Sequence, residues 1–317
     1  MTQWDVVIVG AGPAGLSAAL MLGRSKRKVL IVDSGLPRNR FANHMHGVLG
    51  YEGESPQTLL EKGRQEVADY GVEIESGEIT EVRELTTPAD EEESVDQLQV
   101  SLADGTVTTT RMLIVASGLN DRLLDIPGLA AHWGTTVLHC PYCHGWEVRD
   151  KKLAVLGESV MNLHQAQLIR QLSDNVTLFT NGVDFIDDAA RARLESRNIR
   201  IVSEPVAEVL GDGDQVTGIK LSNGKVIEVD AIFTGGIPEY RDEFLASLDL
   251  EREETPMGNV LKVDQLGKTS HPRIFAVGNV NAHHVNVPLA IGLGSFAGAG
   301  TNAALVTEEF DLAEASG

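Results

Sequence analysis

The chain opens with the pattern of a strand followed directly by a helix. Residues 5–9 form a short apolar run, a glycine-rich loop occupies 10–15, and small and apolar residues fill 16–22. A second apolar run over 28–32 ends at Asp33. Short runs without alternation are typical of parallel strands that are buried on both faces. The pattern predicts a βαβ unit with the spacing of a dinucleotide-binding fold.

The same pattern of strand and glycine loop occurs again in the middle of the chain. Residues 152–156 form an apolar run followed by Gly157, and later runs at 229–233 and 273–278 have the composition of strands that return to the first unit. We therefore predict an α/β protein with two Rossmann-like nucleotide-binding domains, each of three layers (ββα), the second inserted in the first.

The predicted first domain is discontinuous, with residues 1–118 and 239–317, and residues 119–238 form the inserted second domain. Residues 34–60 form a long connection, and such a connection in a compact domain is usually functional. The acidic stretch at 90–93 interrupts an alternating apolar and polar pattern that is typical of β-strands. We expect that stretch to be a solvated turn.

The composition of the chain argues against two classes of binding partner. The 317 residues include 46 acidic and 26 basic side chains, which give a formal net charge of −20. Nucleic acids and anionic membranes bind clustered lysines and arginines, so we expect neither as a partner. The apolar run at 6–9 is too short for an export signal, and we expect no segment that spans a bilayer, which takes ~20 apolar residues. These features predict a soluble cytoplasmic protein.

The first glycine loop carries the residues expected to bind a nucleotide. Gly10 permits a tight turn, Gly12 lets a pyrophosphate approach the backbone, and Gly15 lets the helix pack closely on the strand. A helix that starts near Pro13 presents free N–H groups and a positive dipole end to phosphate. Asp33 would hydrogen-bond the ribose hydroxyls of an adenosine. In this context the loop predicts nucleotide binding rather than a simple glycine-rich turn.

The second glycine loop departs from this pattern. Ser159 and Asn162 stand where the second and third glycines would be, and Glu158 adds a negative charge where two phosphates would lie. After the next strand, residues 180–184 contain no Arg or Lys for a 2′-phosphate. We predict that this module has lost its nicotinamide nucleotide, so that NADPH is not expected as a normal ligand. Binding through other contacts is the alternative.

The only cysteines are Cys140 and Cys143, in a C-x-x-C arrangement that can close a disulfide with little backbone motion. Cytosolic reductants keep ordinary thiols reduced, so we expect a catalytic or redox-sensing pair rather than a structural bridge. The other interpretation is half of a zinc site, but no second C-x-x-C exists to complete it, and we expect no metal. His144 follows directly and, because imidazole titrates near pH ~6.5, can exchange a proton with a thiol. A simple loop hydrogen bond is the alternative role of His144.

Together these motifs resemble the low-molecular-weight thioredoxin reductases of the class II pyridine nucleotide-disulfide oxidoreductases, over nearly the whole chain. The resemblance rests on the opening glycine loop, on the C-x-x-C before an inserted second nucleotide fold, and on Gly278-Asn279-Val280 before a small-residue helix. The run C-P-Y-C-H-G-W-E at 140–147, with H-M-H-G at 44–47, is similar to a branch of dithiol oxidases. Members of that branch, such as the gliotoxin and holomycin enzymes, close disulfides in small dithiol metabolites.

The resemblance implies FAD in the first domain and an NAD(P)H-binding-like second domain that carries the C-x-x-C pair. It also implies a homodimer in which Cys143 faces the flavin and Cys140 exchanges with substrate. The implied catalytic residues are Cys140, Cys143 and His144. The implied cofactor contacts come from the first glycine loop, its acid and later strand ends: Gly10, Gly12, Pro13, Ala14, Gly15, Asp33, Gly118, Gly278 and Asn279.

Three positions depart from the pattern of the reductases. His144 stands where they carry Asp, and a histidine suits the deprotonation of a thiol at neutral pH. Asn279 replaces the Asp that touches the flavin ribityl chain, which keeps a hydrogen-bonding side chain but removes a charge. An Arg-Gln pair is replaced near Asn286, so the surroundings of the flavin ring differ. His283 and His284 lie nearby and either line the flavin pocket or sit in a polar loop.

The leading hypothesis is a thiol–disulfide oxidoreductase that passes electrons from a small dithiol through Cys140 and Cys143 to FAD, and then to a separate acceptor such as oxygen. The same parts can run in reverse as an NADPH-dependent reductase of a thioredoxin-like protein. Reduced ferredoxin or free flavin could replace NADPH in that direction. A flavin-binding redox sensor without turnover is the alternative of another class.

Overall fold

The computed structural model describes residues 3–85 and 97–316, so the acidic stretch at 90–93 lies outside the described residues. Contacts between residues divide the chain into two compact units. Unit 1 comprises Met1–Arg38, Gln57–Asn120 and Pro238–Gly317, and unit 2 comprises Asn39–Pro56 and Asp121–Ile237.

One segment belongs to a different unit from the one expected. The sequence predicts residues 39–56 in the first domain, whereas their contacts place them in unit 2. Phe41 lies against Gly134, where an added Cβ would be 2.6 Å from the Phe41 Cβ. His46 Nε2 lies 3.5 Å from Glu147 Oε1. The local pattern of apolar residues does not encode such long-range contacts, so it could not assign this segment.

The helices of the described residues are α1 (Pro13–Arg24), α2 (Pro56–Ala68), α3 (Pro141–His144), α4 (Met161–Ile169), α5 (Asp188–Glu195) and α6 (Val287–Ala315). Short 3₁₀ turns occur at Ala130–His132, Trp146–Val148, Glu243–Leu248 and Gly278–Val280. The strands are β1 (Gln3–Val9), β2 (Val29–Asp33), β3 (Glu73–Ser76), β4 (Ile79–Leu85), β5 (Gln97–Leu102), β6 (Val107–Val115), β7 (Leu119–Arg122), β8 (Val137–Leu138), β9 (Leu153–Leu156), β10 (Val176–Phe179), β11 (Arg200–Val202), β12 (Val206–Asp212), β13 (Gln215–Leu221), β14 (Val226–Glu228), β15 (Ala231–Phe233), β16 (Ile237–Tyr240), β17 (Arg252–Thr255), β18 (Gly258–Leu261) and β19 (Ile274–Ala276).

Unit 1 is built on a mixed sheet with a parallel core. The order is β3-β2-β1-β6, and β19 pairs in parallel with the carboxyl-terminal part of β6. The amino-terminal part of β6 pairs with β5, and β5 with β4, as antiparallel strands. Alternate residues of β1 enter two cores, since Val6 and Ile8 pack with α1 and α6, and Val7 and Val9 pack with β4 and β5. The sheet is therefore covered on both faces, as the unbroken apolar runs predict.

Helix α6 packs very closely on α1 within unit 1. An added Cβ at Gly294 would overlap the backbone of Ala14, and one at Gly298 would lie 2.6 Å from the carbonyl oxygen of Ala18. Small residues at these positions let the two backbones approach each other. This contact fixes α1, whose amino-terminal end follows the first glycine loop.

Among the described residues, α6 is also long and apolar enough to cross a membrane by length and composition alone, with a mean hydropathy of 1.4 over an 18-residue window. The expectation that no segment spans a bilayer stays a prediction, because length and composition alone do not test it. The alanines of α6, with scattered Leu, Ile, Val and Phe residues, raise the mean hydropathy without forming a conspicuous run of large apolar side chains. Core helices of other proteins have the same composition, and here 28% of the window is buried inside the protein.

Unit 2 has a wholly parallel sheet in the order β11-β10-β9-β15-β8. The antiparallel strands β12, β13 and β14 share one core with this sheet, and α4 and α5 share another core on the opposite side. The layers are thus antiparallel strands, parallel sheet and helices. The predicted α/β class with two Rossmann-like units is confirmed.

Candidate functional site

The first glycine loop has the geometry of a phosphate-binding turn. Gly10 has a φ of +98°, and an added Cβ would lie 2.7 Å from the carbonyl oxygen of Ala116, so this position requires glycine. A Cβ at Gly15 would overlap the Gly10 carbonyl oxygen. At Gly12 an added Cβ would meet nothing within 4 Å, and no side chain caps the start of α1 there. The loop therefore leaves open space beside the free N–H groups of the first turn of α1, which come after Pro13 because proline has no N–H.

Asp33 lies at the end of β2, where the sequence predicts a contact with ribose. Its Oδ1 accepts the Ala11 backbone N–H at 3.0 Å, and its Oδ2 accepts a hydrogen bond from Arg64 Nη2 at 2.9 Å. Each carboxylate oxygen has a further lone pair, so both bonds leave room for a hydroxyl donor. Arg64 comes from α2 and was missed by sequence reasoning, because no local motif links it to Asp33.

Asn279 holds the loop that leads into α6. Its Nδ2 donates to the carbonyl oxygens of Ala282 and Val285, both at 3.0 Å, and to that of His283 at 3.2 Å. Because the amide donor is used on this loop, only Oδ1 remains to face a ligand, as an acceptor. The predicted cofactor contact by Asn279 is thus restricted to accepting a hydrogen bond. Gly278, with a φ of +81°, precedes it.

The two histidines of this loop lie side by side. The ring centroids of His283 and His284 are 5.4 Å apart, and Arg38 Nη1 donates to the His283 carbonyl oxygen at 2.7 Å. Asn286 caps α6, since its Oδ1 accepts the Leu289 N–H at 3.1 Å. The position that replaces the family's Arg-Gln pair therefore serves as a helix cap.

Gly118 also lies in unit 1, in the short connection between β6 and β7. It has a φ of +74° and open space where a Cβ would be. Its carbonyl oxygen accepts the Arg241 N–H at 3.1 Å, and the neighbouring Ser117 hydroxyl donates to the Arg241 carbonyl oxygen at 2.5 Å. These bonds fix the chain after β6, so a role of Gly118 beside a cofactor remains a prediction.

Cys140 and Cys143 form a disulfide at the start of α3, with their Cα atoms 5.2 Å apart. Cys140 caps this short helix, and the Cys143 N–H donates to Cys140 Sγ at 3.2 Å. A sulfur that accepts an N–H is stabilised as a thiolate when the disulfide opens. Both cysteines are partly exposed, as is His144, so a small thiol can reach the turn.

One residue of α4 and one of the segment that follows it contact the turn that carries the two cysteines. An added Cβ at Gly145 would overlap the Leu172 side chain and the Pro141 carbonyl oxygen, so only glycine lets the turn lie this close. Gln165 Nε2 donates to the carbonyl oxygen of His139, directly before Cys140, at 3.0 Å. Sequence reasoning missed Gln165, which has no motif of its own.

His144 lies in a charged environment. Burial lowers its pKa first, the nearby His46 lowers it further, and Glu147 raises it. His46 comes from residues 39–56, the segment that sequence analysis placed in the other domain. The lowered pKa keeps His144 neutral at neutral pH, as a proton acceptor must be.

The second glycine loop is filled by one of its own side chains. An added Cβ at Gly157 would overlap the Asn162 amide, which occupies the space above that glycine. Asn162 Oδ1 accepts the Ser159 N–H at 3.3 Å and the Ser159 hydroxyl at 3.2 Å. Asn162 Nδ2 in turn donates to Gln165 Oε1 at 3.2 Å. A backbone donor that would face phosphate is therefore bonded within the loop.

In the turn after β10, the side chain of Asn181 is likewise hydrogen-bonded to other residues of unit 2. Asn181 Nδ2 donates to Glu158 Oε1 at 2.5 Å, and its Oδ1 accepts the Val206 N–H at 2.7 Å. In a nicotinamide nucleotide site this turn faces the adenosine ribose. Here its side chain binds the acidic residue of the glycine loop, and the turn offers no cation to a 2′-phosphate.

Metal ligands were not expected from the sequence. Within residues 3–85 and 97–316, no group of three or more His, Cys, Asp and Glu side chains is placed to hold a metal ion. The chemistry available at the two sites comes from the dithiol, the histidines and the open glycine loop.

The chain is similar to known proteins over nearly its whole length. A family model described as pyridine nucleotide-disulphide oxidoreductase matches residues 4–297. The thioredoxin reductase tcpT of Claviceps purpurea is 33% identical over 307 residues, which cover 93% of this chain and 92% of that protein. The thioredoxin reductase sirT of Leptosphaeria maculans is 30% identical over 313 residues, covering 94% and 93%. The crystal structure of HlmI has a TM-score of 0.92 and 38% identity, covering 99% of this chain and 96% of HlmI.

Proposed function

Because the chain belongs to the pyridine nucleotide-disulphide oxidoreductases, a family of flavin-dependent enzymes, we propose that it is an FAD-dependent thiol–disulfide oxidoreductase. Electrons pass between the Cys140–Cys143 pair and FAD. The observation that carries the proposal is the disulfide at the start of α3 with His144 directly after it. A dithiol that opens and closes in a partly exposed turn is the simplest two-electron carrier that a protein can provide.

The first glycine loop fits the pyrophosphate of FAD. The space beside Gly12 is open, and the free N–H groups at the start of α1 provide donors for phosphate oxygens. Asp33 would accept hydrogen bonds from the adenosine ribose, and Asn279 Oδ1 would accept one from the ribityl chain. When bound, FAD supplies a two-electron acceptor for the dithiol.

The chemistry at the cysteines follows from thiol–disulfide exchange. A substrate thiolate attacks Cys140 Sγ, the bond to Cys143 breaks, and Cys143 leaves as a thiolate. The second substrate thiolate attacks the substrate sulfur of the mixed disulfide and releases Cys140. His144 accepts a proton from the incoming thiol. The substrate leaves as a disulfide, and both enzyme sulfurs are reduced.

We assign the oxidative direction because the second glycine loop is closed. Asn162 fills the space above Gly157 and binds the Ser159 N–H, while Glu158 bonds to Asn181. These contacts disfavour a nicotinamide nucleotide as electron donor. A small dithiol is the donor in this proposal, and dioxygen is the final acceptor, which takes two electrons and two protons to give hydrogen peroxide.

The alternative is an NADPH-dependent reductase of a thioredoxin-like protein. Two observations favour it, since the relatives tcpT and sirT are named thioredoxin reductases and unit 2 keeps a parallel five-stranded sheet. In that direction a conformational change would have to displace the Asn162 amide from the glycine loop.

Anaerobic titration of the purified yellow protein separates the two directions. Dithiothreitol, NADPH and NADH are added separately in stoichiometric steps, and the visible absorbance of the flavin is followed. We expect dithiothreitol to bleach the flavin and equimolar nicotinamide nucleotides to leave it oxidised. Bleaching by NADPH at equimolar amounts would favour the reductase, and a colourless protein that binds no added FAD would refute both.

The remaining expectations on partners and assembly are part of the same proposal. We place the enzyme in the cytoplasm, as a homodimer that acts on a small dithiol or disulfide. Exposed aromatic side chains on α6, with Phe296 61% and Phe310 68% exposed, support an apolar contact between two copies. Sedimentation equilibrium of the purified protein tests the homodimer, which a monomer at micromolar concentration would contradict.

A further inference from the structure

His46 lies between two carboxylates of unit 2. Its Nδ1 is 2.7 Å from Glu52 Oε1, and its Nε2 is 3.5 Å from Glu147 Oε1. A neutral imidazole carries one N–H and can donate to only one of these groups, whereas an imidazolium can donate to both. The geometry gives each ring nitrogen an anionic acceptor, and such an arrangement suits a cation.

Glu52 is itself held in place. Its Oε2 accepts the Gly47 backbone N–H at 2.8 Å, while its Oε1 binds His46. The hydrogen bond from His46, and then that from Gly47, hold the pKa of Glu52 below its usual value. Glu52 therefore stays ionised at neutral pH and fixes the orientation of the His46 ring.

The His46 ring is a close neighbour of the dithiol histidine. The centroids of His46 and His144 are 6.3 Å apart, with the ring planes at 88°. Glu147 lies one helical turn after His144 and is also within 3.5 Å of His46. His144 thus has a histidine on one side and a carboxylate on another. Burial is the largest cause that lowers the pKa of His144, and His46 lowers it further. Glu147 raises it.

A further imidazole, that of His139, lies directly before Cys140. Helix α4 brings the neutral amide of Gln165 to the turn, and its own His164 is exposed. Cys140 and Cys143 are joined as a disulfide in the oxidised protein and do not titrate. The charged groups that act on the pKa of His144 are His46, which lowers it, and Glu147, which raises it, after burial as the largest cause that lowers it.

We propose that His46, oriented by Glu52, is a positioning residue that places a cation beside His144 and so keeps His144 neutral to accept the proton of an incoming thiol. The inference rests on the proposed thiol–disulfide function and adds the group that controls its proton acceptor. The substrate thiol gives its proton to His144, and the resulting thiolate forms its bond to Cys140 as the bond from Cys140 to Cys143 breaks. Glu147 then stabilises the imidazolium, and the charge of His46 favours release of the proton to solvent.

Histidine titration by NMR tests this arrangement without reference to activity. The oxidised holoprotein is labelled with ¹³C-histidine, and the His144 signal is assigned by its loss in His144→Gln. The variants His46→Gln, which removes the cation, and His46→Lys, which keeps one, are compared with Glu147→Gln. His44→Gln is the matched control, because it removes an exposed imidazole from the same loop. Retained yellow colour and far-ultraviolet circular dichroism show that each variant is folded.

The expected shifts have opposite signs. His46→Gln should move the His144 midpoint to higher pH, Glu147→Gln should move it to lower pH, and His46→Lys should keep it near the wild-type position. His44→Gln should leave it unchanged. A midpoint that does not move in His46→Gln, or that moves equally in His46→Gln and His46→Lys, would overturn the inference.

Flavin reduction by dithiothreitol, measured anaerobically between roughly pH 5 and pH 8, links the shift to the reaction. His46→Gln should lose rate at the acidic end relative to the alkaline end, and His46→Lys should restore the wild-type profile. If dithiothreitol reduces the wild type and His46→Gln has the same pH profile, the role of His46 is rejected while the proposed function stands. A wild type that dithiothreitol cannot reduce would instead reject the proposed function.

Discussion

At the residue scale, two glycines of the first loop are expected to respond differently to the same substitution. Gly12→Ala adds a Cβ to open space at a φ of −73°, so the apoprotein should keep its stability while phosphate loses its approach to the backbone. Gly10→Ala forces a left-handed conformation and a contact 2.7 Å from Ala116, which should cost about 2 kcal/mol.

Thermal unfolding of the two apoproteins and titration with FAD measure these effects. We expect Gly12→Ala to weaken FAD binding by roughly tenfold or more, about 1.4 kcal/mol, with an unchanged apoprotein Tm. Gly10→Ala should lower the apoprotein Tm. Equal loss of stability in both variants, with wild-type FAD affinity in Gly12→Ala, would contradict the assignment of the loop.

Local sequence motifs mark the residues that sequence analysis proposed for the two sites. Gly10, Gly12 and the cysteine pair each stand in a short pattern with a known backbone requirement. Arg64 stands in no such pattern, and the H-M-H-G run that contains His46 does not indicate its partner. Both residues reach Asp33 and His144 only through the fold. Long-range partners of this kind could not be found from one sequence.

At the scale of elements, the contact between α1 and α6 gives a matched pair of substitutions on one helix. Gly294→Ala would drive a Cβ into the backbone of Ala14, which cannot rotate away, and should destabilise the protein by about 2 kcal/mol. Gly292→Ala meets nothing within 4 Å and should be neutral or stabilising by up to about 1 kcal/mol, because alanine favours a helix.

Urea unfolding of both variants at equal FAD saturation measures the difference. A Gly294→Ala variant as stable as Gly292→Ala would mean that the two helices do not pack as closely as the structure has them. The sequence predicted several of the strands, α1 and a small-residue helix at the place of α6, but not how closely that helix packs on α1. In that helix the close contact depends on missing side chains, which a hydropathy pattern records only as moderate apolarity.

At the scale of the whole molecule, the acid stability of unit 1 depends on an ion-pair network at the end of α6. Glu309 Oε1 lies 2.5 Å from Arg27 Nη1 and 2.8 Å from Arg111 Nη1. The hydrogen bond with Arg27, and then that with Arg111, lower the pKa of Glu309 from 4.5 to about 2. Because the folded pKa is the lower one, ionised Glu309 stabilises the fold above pH 4.5 and loses this effect toward pH 2.

The expected outcome is that Glu309→Gln is less stable than wild type at neutral pH and that the difference shrinks as the pH falls below 4.5. The Glu309 side chain is 42% exposed, so the effect should be small and should diminish with added salt. Glu314→Gln removes a charge from the same helix and controls for net charge. Thermal unfolding over this pH range tests it, and a constant difference at all pH values would contradict the role of the ion pairs.

The order of motifs along the chain allowed the family to be recognised from the sequence, and this recognition is confirmed by the family match and by relatives that cover most of the chain. The assignment of residues 39–56 to the first domain did not agree with the contacts of that segment. Connectivity is readable from repeated strand and helix patterns, whereas the packing of a long loop depends on contacts made far away in the chain.

The central claim is that Cys143 carries electrons between a dithiol and FAD, and its direct test is the anaerobic rate of flavin bleaching by dithiothreitol in wild type and in Cys143→Ser. We expect Cys143→Ser to retain its yellow colour and to lose essentially all bleaching, because Cys140, the one remaining thiol, has no second cysteine with which to form a disulfide. Bleaching of the Cys143→Ser flavin at the wild-type rate would contradict the claim.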